Sequence, residues 1–211
     1  MRLTKFQHAC FTVEKDSSTV IIDPGIFSHD FIMPHRVIAI VITHEHTDHL
    51  DEALIIRILT AHPHATLIAH ESISGRFTQH QTIAAKVGET YTFGPFALRF
   101  FGGTHAAIAD SVPVPPNLGV LINDSLYYPG DSFTVPEEVT VTTLALPAAA
   151  PWMKISEAMA FLQRVKPHFA FPTHDGILST DGKSIVDRML GAVAGGQGTV
   201  YKRLDESSID I

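Results

Sequence analysis

Six consecutive residues, His44-Glu45-His46-Thr47-Asp48-His49, set the strictest limits on this chain. They follow directly on Val37 to Ile42, the longest uninterrupted aliphatic run, which reads as a buried strand. A loop leaving the C-terminal end of such a strand can turn alternate side chains towards one point. His44 and His46 can then share one metal ion while Asp48 and His49 reach a second. A helical zinc site of the H-E-x-x-H type is excluded, because Asp48 stands at its fifth position.

The same chemistry recurs downstream. His105 follows Gly102-Gly103-Thr104, Asp131 follows Pro129-Gly130, and His174 follows Phe171-Pro172-Thr173. Each stands where an expected strand ends and a loop begins, which is where ligating residues are commonly presented. Histidine is in excess throughout, with 13 residues against a single cysteine, Cys10. That cysteine has no partner for an internal disulfide, lies in an apolar stretch and is assigned to the core, which favours a reducing, cytoplasmic setting.

The first eight residues lack the apolar run and cleavage site of a signal peptide. No membrane segment is expected, since a span needs about 20 apolar residues. With 15 basic and 22 acidic side chains, a net charge of −7 and no block of Lys or Arg, the composition argues against a dedicated nucleic-acid binder. A small-molecule substrate fits better, and assembly into a homo-oligomer stays open.

Strands are expected over 3–7, 9–13, 19–22, 37–42, 66–69, 96–101, 118–122, 126–128, 139–146 and 168–172, with Asn123-Asp124-Ser125 as a hairpin connection. Helices are expected over 51–59, about 72–80, from an N-cap at Ser156 to Val165, and from a cap at Asp181 to Gly195-Gly196. Helices separating strands in both halves imply mixed sheets covered by helices. No repeat, low-complexity tract or linker is visible, so one domain over residues 1–211 is expected.

The order H-x-H-x-D-H, a lone His, a Gly-Asp and a late His resembles the metallo-β-lactamase superfamily over nearly the whole chain. The resemblance implies an α/β fold, the four-layer αβ/βα sandwich of two mixed sheets with helices outside and a metal site along one edge. It implies two divalent ions: one held by His44, His46 and His105, the second by Asp48, His49 and His174, with Asp131 bridging. Asp23, in the Asp23-Pro24-Gly25 turn, would orient a ligand imidazole. Asp48 and His8 are the candidate catalytic residues, His8 as a proton donor or substrate contact. Imidazole and carboxylate donors suit Zn²⁺ and also Mn²⁺ or Fe²⁺.

Within the superfamily, Ala106-Ala107-Ile108 after His105 departs from the Thr-Pro-Gly-His continuation of glyoxalase II and many β-lactamases, and His46 departs from the Glu usual in flavodiiron proteins. The missing secretion signal and the absent thioester-binding and flavin extensions point the same way. The branch containing ascorbate-6-phosphate lactonase and N-acylphosphatidylethanolamine phospholipase D is more similar, through His8-Ala9-Cys10-Phe11, Tyr128-Pro129-Gly130-Asp131 and Pro172-Thr173-His174. The expected activity is hydrolysis of an ester or lactone by a hydroxide shared between the metals. A phosphodiester on the same site is the alternative, and a non-catalytic metal-binding scaffold or sensor the second one.

The remaining residues carry split readings. The loop 26–36 either walls the substrate pocket or forms a surface flap, and Trp152 is divided in the same way. Tyr127 and Tyr128 read as strand packing, Glu45, His62, His64 and His80 as solvated, and His70 and His168 as core histidines or supports of the site.

Overall fold

Strands dominate the computed structural model, which describes residues 1–204 and 207–211. In chain order they are β1 (Arg2–Lys5), β2 (Phe11–Lys15), β3 (Ser18–Ile22), β4 (Val37–Val41), β5 (Thr66–Ala69), β6 (Thr82–Ala84), β7 (Thr90–Phe93), β8 (Phe96–Thr104), β9 (Pro116–Ile122), β10 (Leu126–Tyr128), β11 (Thr143–Pro147), β12 (Phe169–Thr173), β13 (Val200–Tyr201) and β14 (Ser208–Asp210). The helices are α1 (Glu52–Ala61), α2 (Glu71–Ser74), α3 (Ile155–Val165) and α4 (Thr180–Gln197). None of them is long and apolar enough to cross a membrane.

The strands form two sheets, ordered β14-β1-β2-β3-β4-β5-β6 and β13-β12-β11-β10-β9-β8-β7. In the first, β14 through β3 pair antiparallel and β3 through β6 parallel. The second repeats the scheme, antiparallel from β7 to β10 and parallel from β10 to β13. The topology is thus duplicated although the sequence shows no repeat, because different residues with the same apolar patterning can form the same backbone hydrogen-bond ladders.

Phe11, Val20, Ile22 and Val41 of one sheet meet Phe96, Phe100, Val120, Tyr128 and Phe171 of the other in a shared core. On the outer face of the first sheet, Ile21, Ile40, Ile42 and Leu67 bury against Leu54, Ile55, Ile58 and Leu59 of α1 and its flanks. Outside the second, Leu121, Tyr127 and Leu144 bury against Ala158, Phe161 and Leu162 of α3 and against Val186 and Leu190 of α4. This is the four-layer αβ/βα sandwich. Strands covered on both faces have no polar side, which is why Val37 to Ile42 is continuously apolar instead of alternating.

Local details differ from the sequence expectation for identifiable reasons. Helix α1 forms where expected but starts one residue later, with Asp51 as its cap, the carboxylate accepting from Ala53 N–H and Leu54 N–H. Helix α3 begins before Ser156: the Glu157 carboxylate reaches back to accept the Lys154 N–H at 2.5 Å, satisfying an end group that a serine was expected to serve. Ser179, not Asp181, caps α4 by accepting the Gly182 N–H, and the helix runs through Gly195-Gly196 to Gly198, whose φ of +81° ends it. The expected helix over 72–80 shortens to α2 and the 3-10 turn Gly75–Phe77. Four strands that were not expected, β6, β7, β13 and β14, are two to four residues long, too short for a periodic signal in sequence; pairing with neighbouring strands defines them.

Candidate metal centre

Parallel pairing brings the C-terminal ends of β3 and β4 to one edge of the first sheet, and those of β10 and β12 to one edge of the second. Asp23 leaves β3, the segment 43–49 leaves β4, Asp131 follows β10 and His174 follows β12, while His105 follows β8. All seven residues that the resemblance marks as metal ligands meet here. Ligand atoms of His44, His46 and His105 lie within 4.8 Å of one another, as do those of Asp48, His49, His174 and His8, and those of His44, His49 and Asp131.

The Asp23-Pro24-Gly25 turn braces the histidine loop from beneath. Ile26 N–H donates to Thr47 O at 2.9 Å and Asp51 N–H to Pro24 O at 3.1 Å. A Cβ on Gly25 would sit 1.9 Å from the Asp48 carbonyl oxygen, so the approach tolerates no side chain. Asp23 is fully buried, and its carboxylate accepts from Thr43 N–H (2.8 Å), Thr43 Oγ1–H (2.6 Å) and His49 Nδ1–H (2.7 Å).

These bonds fix tautomers. Because the Thr43 hydroxyl proton goes to Asp23, its oxygen accepts from His44 Nδ1–H at 3.1 Å. His105 Nδ1–H donates to Ala106 O at 2.5 Å and His174 Nδ1–H to Ala149 O at 2.6 Å. Four imidazoles therefore direct Nε2 into the centre. His174 Nε2 lies 3.0 Å from Asp131 Oδ2 and 3.2 Å from Asp48 Oδ2, His105 Nε2 3.3 Å from Asp131 Oδ2, and His49 Nε2 3.2 Å from Asp131 Oδ1. His44 Nε2 and His46 Nδ1 face each other at 3.1 Å.

Burial and neighbouring charge shape the protonation of this cluster. Burial, then the charge of His49, pushes His44 well below the ordinary imidazole value. Burial works against the charged form of His174, yet the Asp131 and Asp48 carboxylates lift it to about 9. Burial alone would raise Asp48 and Asp131; contacts with the histidines hold both carboxyls far down. In the absence of a cation, protons on imidazoles balance the carboxylates. A metal ion would displace them, as ligands must be deprotonated to bind.

His8 enters from the β1–β2 connection with a φ of +58°. Its Nδ1 accepts the Gly176 N–H at 3.1 Å, so Nε2 carries the proton and donates to Asp48 Oδ2 at 3.0 Å. Burial pushes its pKa down to about 4, which keeps that ring neutral.

A cleft of about 510 Å³ opens over the cluster, walled by His46, Asp48, His174, Arg76, Ile108, Pro151 and Trp152. The loop 26–36 does not wall it. Asp30 and residues 32–36 instead line a separate cavity of about 670 Å³ against the outer side of β1 to β3. Phe27 alone of the loop's aromatics reaches the centre, its ring 5.1 Å from His8. His168 is exposed and His70 caps α2 by accepting the Ser72 N–H, so neither is a core or supporting histidine; Glu45 is exposed, as expected.

Two contributors, Thr43 and Asn117, were not singled out from sequence, and the role of a third, Trp152, was not foreseen. Thr43 relays Asp23 to His44. Asn117 accepts the Asp131 N–H at 3.0 Å and donates to Pro129 O at 2.8 Å, holding the Gly130 turn, where φ is +64°. Trp152, whose reading was divided, donates its Nε1–H to Asp131 Oδ2 at 2.7 Å. Of the two missed residues, Thr43, a small polar residue closing an apolar strand, is the one with a signal in sequence, while the pocket-wall reading of Trp152 agrees with its place in the cleft.

A fold of this architecture with imidazoles and carboxylates gathered on one edge defines the metallo-β-lactamase class. The chain belongs to that superfamily: residues 2–174 match the Beta-lactamase superfamily domain. It is 39% identical over 190 residues to Protein Rv0786c of Mycobacterium tuberculosis, covering 88% of this chain and 89% of that protein. A UPF0173 metal-dependent hydrolase of Carboxydothermus hydrogenoformans is 26% identical over 193 residues, 82% of this chain and 84% of its own. Among solved structures, a metallo hydrolase of the archaeon Ignicoccus hospitalis superposes with a TM-score of 0.75 at 20% identity, over 100% of this chain and 98% of that one.

Proposed function

We propose that the chain is a metal-dependent hydrolase whose single domain holds two divalent ions, Zn²⁺ by preference with Mn²⁺ or Fe²⁺ as alternatives. His44, His46 and His105 would hold one ion, Asp48, His49 and His174 the second, and Asp131 both. The observation that carries this reading is a set of buried atoms without hydrogen-bond partners: His49 Nε2, His105 Nε2 and Asp131 Oδ1. Unpartnered buried polar atoms are costly, and three within one cluster of potential ligands fit bound cations. The donor set, imidazole and carboxylate without thiolate, fits such ions. Relatives 26% identical to the chain are named metal-dependent hydrolases.

When bound, the ion pair supplies electrophilic polarisation of the scissile group and water of lowered pKa. The chain's own residues do the rest. Asp23 and Thr43 hold the Nε2 lone pairs of His44 and His49 towards the centre. Neutral His8 holds the Asp48 carboxylate by donating to it, which makes it a positioning residue more than a proton donor, since both its nitrogens are engaged. Ile108, Pro151 and Trp152 present apolar surface to the substrate's organic part.

An ester or lactone is the favoured substrate. Arg76 is the one Lys or Arg among the described lining residues, and its guanidinium already pairs with Glu52, so beyond the ions the lining offers no unpaired basic side chain to a phosphodiester. Action in the cytoplasm on a small molecule completes the proposal; the free, buried Cys10 supports a reducing setting.

Metal analysis together with ester, lactone and phosphodiester panels tests this reading. The expected result is about two ions per chain and ester or lactone turnover that Asp48→Ala and His105→Ala abolish. Less than one ion per chain, or hydrolysis unchanged in Asp48→Ala, overturns it; turnover of phosphodiesters alone overturns the substrate class.

A further inference from the structure

The chain has one tryptophan, and it is spent at the centre. Trp152 lies in the connection between β11 and α3, 9% exposed, with its ring 5.1 Å from Phe133 and 6.0 Å from His105. Its Nε1–H, the indole's only polar donor, points at Asp131 Oδ2 at 2.7 Å. Asp131 is held at its backbone by Asn117, and Ala106 N–H donates to its carbonyl at 2.8 Å. Those bonds fix where the residue is, not how its carboxylate is rotated. Among the described residues, the side-chain oxygens otherwise lie 3.0–3.3 Å from imidazole nitrogens of His49, His105 and His174, with a ring nitrogen of His44 within 4.8 Å.

We propose that Trp152 is a positioning residue that locks the rotation of the Asp131 carboxylate and thereby sets how tightly the centre retains divalent cations. The inference rests on the metal-centre reading above. A carboxylate offers about four lone-pair directions. The indole occupies one on Oδ2, leaving the unpartnered Oδ1 and the remaining direction of Oδ2 turned to the histidines. Partners of this kind, one bond removed from a ligand atom, change metal affinity by about 10–100-fold when lost. A Phe at this position keeps a ring between Phe133 and His105 but has no N–H, so packing and orientation can be separated.

The test uses the whole protein and Zn²⁺ alone as probe. Affinity is measured by competition with a chromogenic chelator for the wild type and Trp152→Phe, and thermal unfolding of both metal-free proteins reports on packing. In ¹⁵N-labelled wild type the sole indole N–H gives one cross-peak, which reports on the bond without any mutation. The expected result is a downfield, exchange-protected indole signal that moves on Zn²⁺ addition, and affinity at least about 10-fold weaker in Trp152→Phe with metal-free unfolding little changed. Equal affinity in the two proteins, or an indole signal unmoved by Zn²⁺, overturns this inference and leaves the metal centre standing. Failure of the wild type to take up Zn²⁺ overturns this inference, and failure to take up Zn²⁺, Mn²⁺ and Fe²⁺ alike overturns both.

Discussion

Replacing Asp23 by asparagine keeps the shape of a fully buried side chain while removing its charge and one acceptor. In the native protein Oδ1 accepts the Thr43 N–H, and Oδ2 accepts both Thr43 Oγ1–H and His49 Nδ1–H. If the amide oxygen keeps the Thr43 N–H, the NH₂ group meets the Thr43 hydroxyl and His49 Nδ1, each of which must then become an acceptor. The hydroxyl proton is displaced towards His44 Nδ1, and the rings of His44 and His49 both move their proton to Nε2. Two lone pairs aimed at the centre are lost at once. The reverse amide orientation sets NH₂ against the Thr43 N–H and leaves a buried donor unpaired, at about 1–3 kcal/mol. Hydrogen bonds to charged groups contribute about 1.5–3 kcal/mol against about 1 for neutral ones, so three bonds losing charge assistance amount to about 3 kcal/mol. Loss of an orienting partner weakens metal affinity by about 10–100-fold, and Asp23 serves two ligands, so the upper end is expected, about 2.7 kcal/mol. Chelator competition measures the second quantity and urea unfolding of the metal-free protein the first. Thr43→Val, which breaks only the relay to His44, is expected to fall between wild type and Asp23→Asn in affinity. Wild-type affinity together with wild-type metal-free stability in Asp23→Asn refutes the argument, because the one amide orientation that preserves both Nε2 lone pairs leaves the buried Thr43 N–H unpaired.

Gly25→Ala places a methyl group against the Asp48 carbonyl and is expected to destabilise the protein by at least about 1–3 kcal/mol and to lower metal content, read by unfolding and metal analysis. Burial pushes the Cys10 thiol up to about 12, so Ellman's reagent is expected to find no reactive thiol in the native protein at pH 8 and one after denaturation. Asp175 is paired with Lys5 at 3.5 Å and with Arg203. Burial would raise its carboxyl, but those cations hold it low, so its contribution is present above the unfolded carboxyl value and is lost as pH falls through the folded one. Asp175→Asn, which strands buried Lys5, is expected to cost about 3–5 kcal/mol near neutrality and to show a smaller further loss on acidification, measured by urea midpoints against pH. Adding Zn²⁺ at 100 times its Kd is expected to raise stability by about 2.7 kcal/mol, a gain that excess EDTA removes.

The sequence alone nominated the proposed ligands. A buried strand running into His44-Glu45-His46-Thr47-Asp48-His49 is a local unit, and ligand chemistry is specific to residue type, so spacing suffices to nominate it. His105, Asp131 and His174 were legible as polar residues closing strands, and the sandwich through the resemblance that these positions carry. Tertiary structure decided how each ligand is aimed. The Gly176 N–H that fixes the His8 tautomer lies 168 residues away in the chain, the Asp23 carboxylate that orients His49 lies 26 away, and the indole on Asp131 21 away. Such partners leave no periodicity and need no particular neighbour in sequence, only proximity after two sheets have closed on one core. For the same reason the loop 26–36 read equally well as pocket wall or flap, until its contact with the outer side of β1 to β3 placed most of it elsewhere. Residue types set which metals and reactions are chemically open to this chain; the direction of each lone pair, on which binding depends, was set only by folding.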